Sequence, residues 1–139
     1  YDIKTTYKSG NLERPLQAKN RVFVNLEYQT HETDKGGSWK FDATWNWLGK
    51  QRLPYTGDNL AQNQLGQNTN PFSTINAQVT KIFSDRFEIY VGGENMTNYQ
   101  QNRVILGADD PFGSNFDSTM IYAPIFGQMY YAGLRFKIK

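Results

Sequence analysis

The chain has 139 residues, with 38% hydrophobic and 15% aromatic residues, 15 basic and 13 acidic side chains, and no cysteine. That inventory excludes a membrane-crossing helix, which needs roughly 18 uninterrupted apolar residues, any disulfide framework or thiolate site, and a nucleic-acid footprint, because the basic residues are scattered rather than clustered. Aliphatic residues are few and the nine Tyr, nine Phe and three Trp are many, a balance that suits a surface apolar in its middle and wet at its edges.

In chain order, the first predicted element is a short strand from about Asp2 to Tyr7. From Arg21 to Gln29, Val22, Val24, Leu26 and Tyr28 alternate with Arg21, Asn25, Glu27 and Gln29, and a period of two is the mark of a strand with two different faces. A short turn, His31 to Gly37, leads to the clearest alternation, where Trp39, Phe41, Ala43, Trp45 and Trp47 oppose Lys40, Asp42, Thr44 and Asn46. The segment from Gly49 to Asn70 is long and rich in Asn, Gln and Gly. Thr74 to Phe83 and Phe87 to Glu94 are the next two strands, joined through Ser84-Asp85-Arg86. A second long loop runs from Asn95 to Ser118. The last strand places Tyr130, Ala132, Leu134, Phe136 and Ile138 on one face and Tyr131, Gly133, Arg135 and Lys137 on the other.

Short and long connections therefore alternate along an antiparallel meander, and loops beyond about 12–15 residues are uncommon in compact domains. Short turns at one end and long loops at the other are the arrangement of outer-membrane barrels. Trp39 and Trp47 stand roughly 26 Å apart along a strand. A tilt of about 40° reduces this to roughly 20 Å, slightly under the ~25 Å apolar band with aromatic girdles. The expected fold is all-β, an antiparallel transmembrane meander of six strands spanning residues 1–139. Six strands are too few to close such a barrel, since the smallest have about eight. The alternative is a soluble β-sandwich or calyx that binds a carbohydrate or lipid, with the aromatic stripe as its inner face.

Few residues carry chemistry. His31 is the only histidine and sits in a polar turn, so neither a zinc site nor a Ser-His-Asp relay can be assembled. Glu27, Asp42, Glu88 and Glu94 fall on the polar face as hydrated charges. Asp109, Asp110 and Asp117 lack calcium-loop spacing and read as ordinary loop acids. Asn95-Met96-Thr97 matches a glycosylation sequon that is common by chance. Gly92-Gly93 precedes no helix and fits a strand end or a close backbone approach. No enzyme activity, metal site or cofactor is expected.

The segments Gly92-Gly93-Glu94-Asn95-Met96-Thr97-Asn98-Tyr99, Gly107 to Asp117 and Tyr131-Ala132-Gly133-Leu134-Arg135-Phe136, with Arg52-Leu53-Pro54, resemble the C-terminus of TonB-dependent receptors of the Bacteroidetes. The resemblance implies a 22-stranded barrel filled by an N-terminal plug, of which this chain is about the last six strands. It implies a receptor in the outer membrane of a Gram-negative bacterium that imports a scarce solute, such as a metal chelate, a cobalamin-like cofactor or an oligosaccharide. The implied partners are outer-membrane lipid, the rest of the barrel and its plug, TonB through a segment before Tyr1, and a surface lipoprotein. Such barrels usually end on an aromatic residue, whereas Phe136 is followed by Lys137-Ile138-Lys139. Tyr55, Asn59, Asn102, Arg103, Asp109 and Phe112, all in the two long loops, are the expected solute contacts.

Overall fold

The structure, a computed structural model, describes residues 3–34 and 36–138. It is all-β apart from one 3-10 turn, Ala61–Asn63. Among the described residues seven strands form: β1 (Lys4–Tyr7), β2 (Gly10–Glu13), β3 (Arg21–Gln29), β4 (Ser38–Leu48), β5 (Phe72–Ser84), β6 (Phe87–Glu94) and β7 (Met129–Phe136). β3 to β7 make one five-stranded sheet in chain order, and β1 and β2 make a separate hairpin. Among the described residues no helix is long and apolar enough to cross a membrane.

The alternating segments appear within one or two residues of where the pattern places them, because period-two patterning fixes which face each residue joins. One expectation is corrected. The first strand is not the opening strand of a six-stranded meander: Lys4 pairs with Glu13, Thr5 with Leu12, Thr6 with Asn11 and Tyr7 with Gly10. Gly10 turns that hairpin at φ +119°, a conformation open to glycine alone, and β2 satisfies the backbone of β1 locally. The sheet is open, with β3 and β7 as its edges; no closed barrel forms among the described residues, and none was expected of so few strands. Asp2, at the start of the first predicted strand, and Lys35, in the predicted turn, lie outside the described residues.

The chain divides into two compact units. One comprises Val22–Asn46, Ser73–Tyr99 and Phe126–Lys139 and carries most of the sheet. Its hairpins are tightly specified. The Thr30 N–H donates to the Trp39 carbonyl (2.9 Å) and the Trp39 N–H to Thr30 Oγ1 (2.9 Å), with Gly36 turning the chain at φ +76°. β5 and β6 pair antiparallel with Val79 opposite Val91 and Lys81 opposite Ile89, and one register shift between Ile82 and Ser84 precedes the turn. β6 and β7 pair with Phe87 opposite Phe136, Ile89 opposite Leu134 and Val91 opposite Ala132. Apart from Lys81, these registers place apolar residues beside apolar residues across β5, β6 and β7.

The other unit comprises Tyr1–Arg21, Trp47–Phe72 and Gln100–Ile125. It encloses a small apolar core of Leu53, Leu106, Met120 and Phe72. Buried Gln51, Thr56, Thr69 and Gln101 accompany that core, because irregular backbone must find its hydrogen bonds from side chains. Gln101 Nε2 donates to the carbonyls of Arg103 and Met120, both at 2.6 Å, and its Oε1 accepts from the N–H groups of Tyr122 (3.0 Å) and Ala123 (3.4 Å). Gln51 Nε2 reaches the Tyr122 carbonyl at 3.2 Å. Bridges at Ala18–Gln51, Arg52–Asn68 and Leu106–Asp117 complete it.

Candidate functional site

The sheet has two chemically opposite faces. On one, Val22, Leu26, Trp39, Phe41, Trp45, Val79, Val91, Leu134 and Phe136 remain substantially exposed, with Leu26 at 66% and Leu134 at 68%. Aromatic rings gather where β5 turns into β6 and at the start of β4. Phe83 stacks on Phe87 at 5.4 Å, and Trp39 stacks on Phe41 at 6.4 Å, which stacks on Tyr28 at 6.3 Å. Lys81 stands beside them, its Nζ 4.6 Å from the centre of the Trp39 ring.

The opposite face holds a concavity of about 620 Å³ lined by Glu27, Gln29, Lys40, Asp42, Gln78, Thr80, Glu88, Tyr90 and Arg135, with Tyr28 of the edge strand. Several groups on this face pair across strands. Arg135 forms an ion pair with Glu88, Thr44 Oγ1 donates to Asn25 Oδ1 at 2.7 Å, and Tyr131 Oη donates to Gln78 Oε1 at 3.1 Å. The face carries both signs of charge and several amides. Among the described residues no group of His and carboxylates is arranged to hold a metal ion.

Glycines set the spacing of β6 and β7 on this face. A Cβ at Gly92 would lie 2.4 Å from Tyr131 Cζ, and one at Gly133 would lie 2.4 Å from Tyr90 Oη. Each tyrosine thus lies flat over the glycine opposite it, and the two rings meet edge to face at 6.3 Å. The Gly92–Tyr99 motif continues into a locked turn. Asn95 and Asn98 adopt φ of 48° and 52°, a left-handed conformation that asparagine tolerates. Asn95 Nδ2 donates to the carbonyls of Tyr99 (2.8 Å) and Phe126 (3.0 Å), while its Oδ1 accepts from Thr97 Oγ1 (3.1 Å) and the Tyr99 N–H (3.2 Å). Asn95 is 7% exposed, so this motif acts as a structural lock and its sequon is closed.

In the loop unit a second cleft, of about 470 Å³, is lined by residues of the first long loop, notably Arg52, Leu53, Pro54, Tyr55, Thr56, Gln64, Leu65, Gln67 and Asn68, with Leu12 and Glu13 of β2. Of the solute contacts expected from sequence, Tyr55 lines it. Asn59 stands beside it, with its carbonyl accepting from Gln64 Nε2 at 3.0 Å. Arg103 is exposed, and its guanidinium ties the second long loop to the first by donating to the carbonyls of Gln62 (2.7 Å) and Gln64 (3.5 Å). Asn102 and Asp109 are exposed and Phe112 is wholly so; none of the three lines the cleft. Sequence reasoning missed Leu12, Glu13, Leu65, Gln67 and Asn68. Besides Tyr55, the Arg52-Leu53-Pro54 motif pointed here, and Arg52 serves the hairpin, donating to the Glu13 carbonyl at 3.1 Å and covering the Tyr7 ring at 5.3 Å.

Comparison with protein-family models, curated proteins and solved structures gave no match to this chain.

Proposed function

We propose that this chain is part of the barrel wall of a TonB-dependent receptor in the outer membrane of a Gram-negative bacterium, and that the receptor imports a scarce solute such as a metal chelate, a cobalamin-like cofactor or an oligosaccharide. The observation that carries the reading is the two-faced sheet: a continuous apolar face left uncovered, backed by a continuous charged and hydrated one. In a water-soluble protein the polar face would point outward and the apolar one would be covered, and exposed apolar patches beyond a few hundred Å² mark an interaction surface. A bilayer reverses the requirement, with apolar residues facing lipid and polar residues facing the lumen.

Three further features support it. The aromatic cluster beside Lys81 matches the ring-rich belt at a membrane boundary. The open edges β3 and β7 present unpaired backbone groups, which lipid does not tolerate and further strands of the same barrel would satisfy. The ordered loop unit, with its cleft around Tyr55, provides a surface for capturing solute. Under this reading the plug and the segment that engages TonB belong to the rest of the receptor, and a surface lipoprotein is a further partner.

Fractionation tests it. Envelopes of cells producing the protein are washed with alkaline carbonate, which strips peripheral proteins, and the outer membranes are then separated by density. Retention of the protein in the outer-membrane fraction until detergent is added is the expected result. Release into the wash, or recovery in the soluble fraction, overturns the reading.

A further inference from the structure

On the apolar face, Trp39, Val79, Lys81, Phe83, Ile89 and Val91 enclose a shallow groove of about 370 Å³. Five of the six are hydrocarbon or aromatic, and the sixth is a lysine whose Nζ lies 4.6 Å from the Trp39 ring centre and 6.0 Å from that of Phe83. Neither the Lys19–Glu13 nor the Arg135–Glu88 ion pair involves it. The groove has a direction: Val79 and Val91 are paired two residues deeper than Lys81 and Ile89, while Phe83 lies toward the β5–β6 turn. Lys81 stands three residues before the end of β5 at Ser84, about 10 Å along the strand, within reach of a membrane boundary for a side chain that buries its stem and presents its charge to water.

We infer that this groove is a binding site for one anionic phospholipid, whose acyl chain lies along Val79, Ile89 and Val91 and whose phosphate pairs with the Lys81 ammonium between the Trp39 and Phe83 rings. The inference rests on the outer-membrane reading. Charge complementarity selects the occupant: an apolar slot with a single cation on the turn side of Val79 and Val91 matches an amphiphile with one negative head. A zwitterionic lipid would place a second cation beside Lys81. The two rings hold the ammonium by cation–π attraction, so the charge is positioned before the lipid arrives.

Native mass spectrometry of the whole detergent-solubilised protein tests this, with phosphatidylglycerol or phosphatidylcholine of identical acyl chains added. Wild type is expected to retain phosphatidylglycerol about fivefold better, the factor that one lysine near the surface contributes toward an anionic lipid. Lys81→Met should abolish the preference and Lys81→Arg restore it, while glycerol 3-phosphate alone should not displace the lipid. Equal retention of the two lipids by wild type, or a preference that survives Lys81→Met, overturns the inference while leaving the membrane reading intact. Displacement by glycerol 3-phosphate overturns the lipid as occupant and assigns the ammonium to soluble phosphate. A protein that stays in solution without detergent and retains neither lipid removes both readings.

Discussion

Gln101 shows what a single side chain does where no strand supplies partners. The residue is 5% exposed and satisfies two backbone carbonyls and two backbone N–H groups of the second long loop and the segment after it. A leucine there keeps the volume and orphans all four, and each unsatisfied buried group costs on the order of 1–3 kcal/mol where water cannot replace the partner. Gln101→Leu is therefore expected to accelerate hydrogen exchange at the amides of Tyr122 and Ala123 by about tenfold or more, the equivalent of roughly 1.4 kcal/mol, with exchange in β6 and β7 unchanged. Unaltered exchange at Tyr122 and Ala123 would show that the amide is not what orders this loop.

At the level of the element, the Gly92–Tyr131 and Gly133–Tyr90 pairs explain why two small residues sit in the most regular part of the sheet. Glycine in a strand interior weakens it, and a ring lying over the bare backbone from the facing strand offsets that loss, a device known in designed sheets as aromatic rescue. Gly92→Ala drives a methyl group into the Tyr131 ring, which must leave its hydrogen bond to Gln78 and its edge contact with Tyr90. A loss of about 1–3 kcal/mol is expected, as for overpacking generally. In a Tyr131→Ser background the same substitution should be nearly neutral, so a double-mutant cycle read by urea unfolding in detergent gives a coupling energy of similar size. Additive losses would mean that the ring does not need the glycine.

The strands themselves were legible because a half-buried strand writes its two faces into alternate letters, as Trp39 to Trp47 does. β2 was not, since Gly10-Asn11-Leu12-Glu13 is too short to show a period and its partner is chosen by a glycine turn. The loop core was invisible for a different reason. Gln51 and Tyr122 meet across 71 positions, and no local pattern announces a contact between two irregular segments. Arg103, singled out as a solute contact, donates to the carbonyls of Gln62 and Gln64, a tie between the two loops that residue type alone does not foretell.

For the whole molecule, the decisive question is which solvent each face meets, and β3 offers adjacent residues that put it directly. Leu26 lies at the middle of the apolar series and Asn25 on the polar face, both exposed on the same edge strand. If lipid covers the apolar face, an arginine at position 26 must be carried into hydrocarbon at a cost of about 2–4 kcal/mol near the midplane, whereas one at position 25 joins a hydrated wall at little cost. Leu26→Arg is thus expected to lower the unfolding midpoint of the protein in lipid vesicles and its yield in the outer membrane, with Asn25→Arg close to wild type. In water the order reverses. There Leu26→Arg removes an exposed apolar side chain and raises solubility, and neither substitution changes stability by more than about 0.5 kcal/mol, the ordinary range for surface positions. The sign of the Leu26 effect relative to Asn25 therefore separates a membrane wall from a soluble sheet.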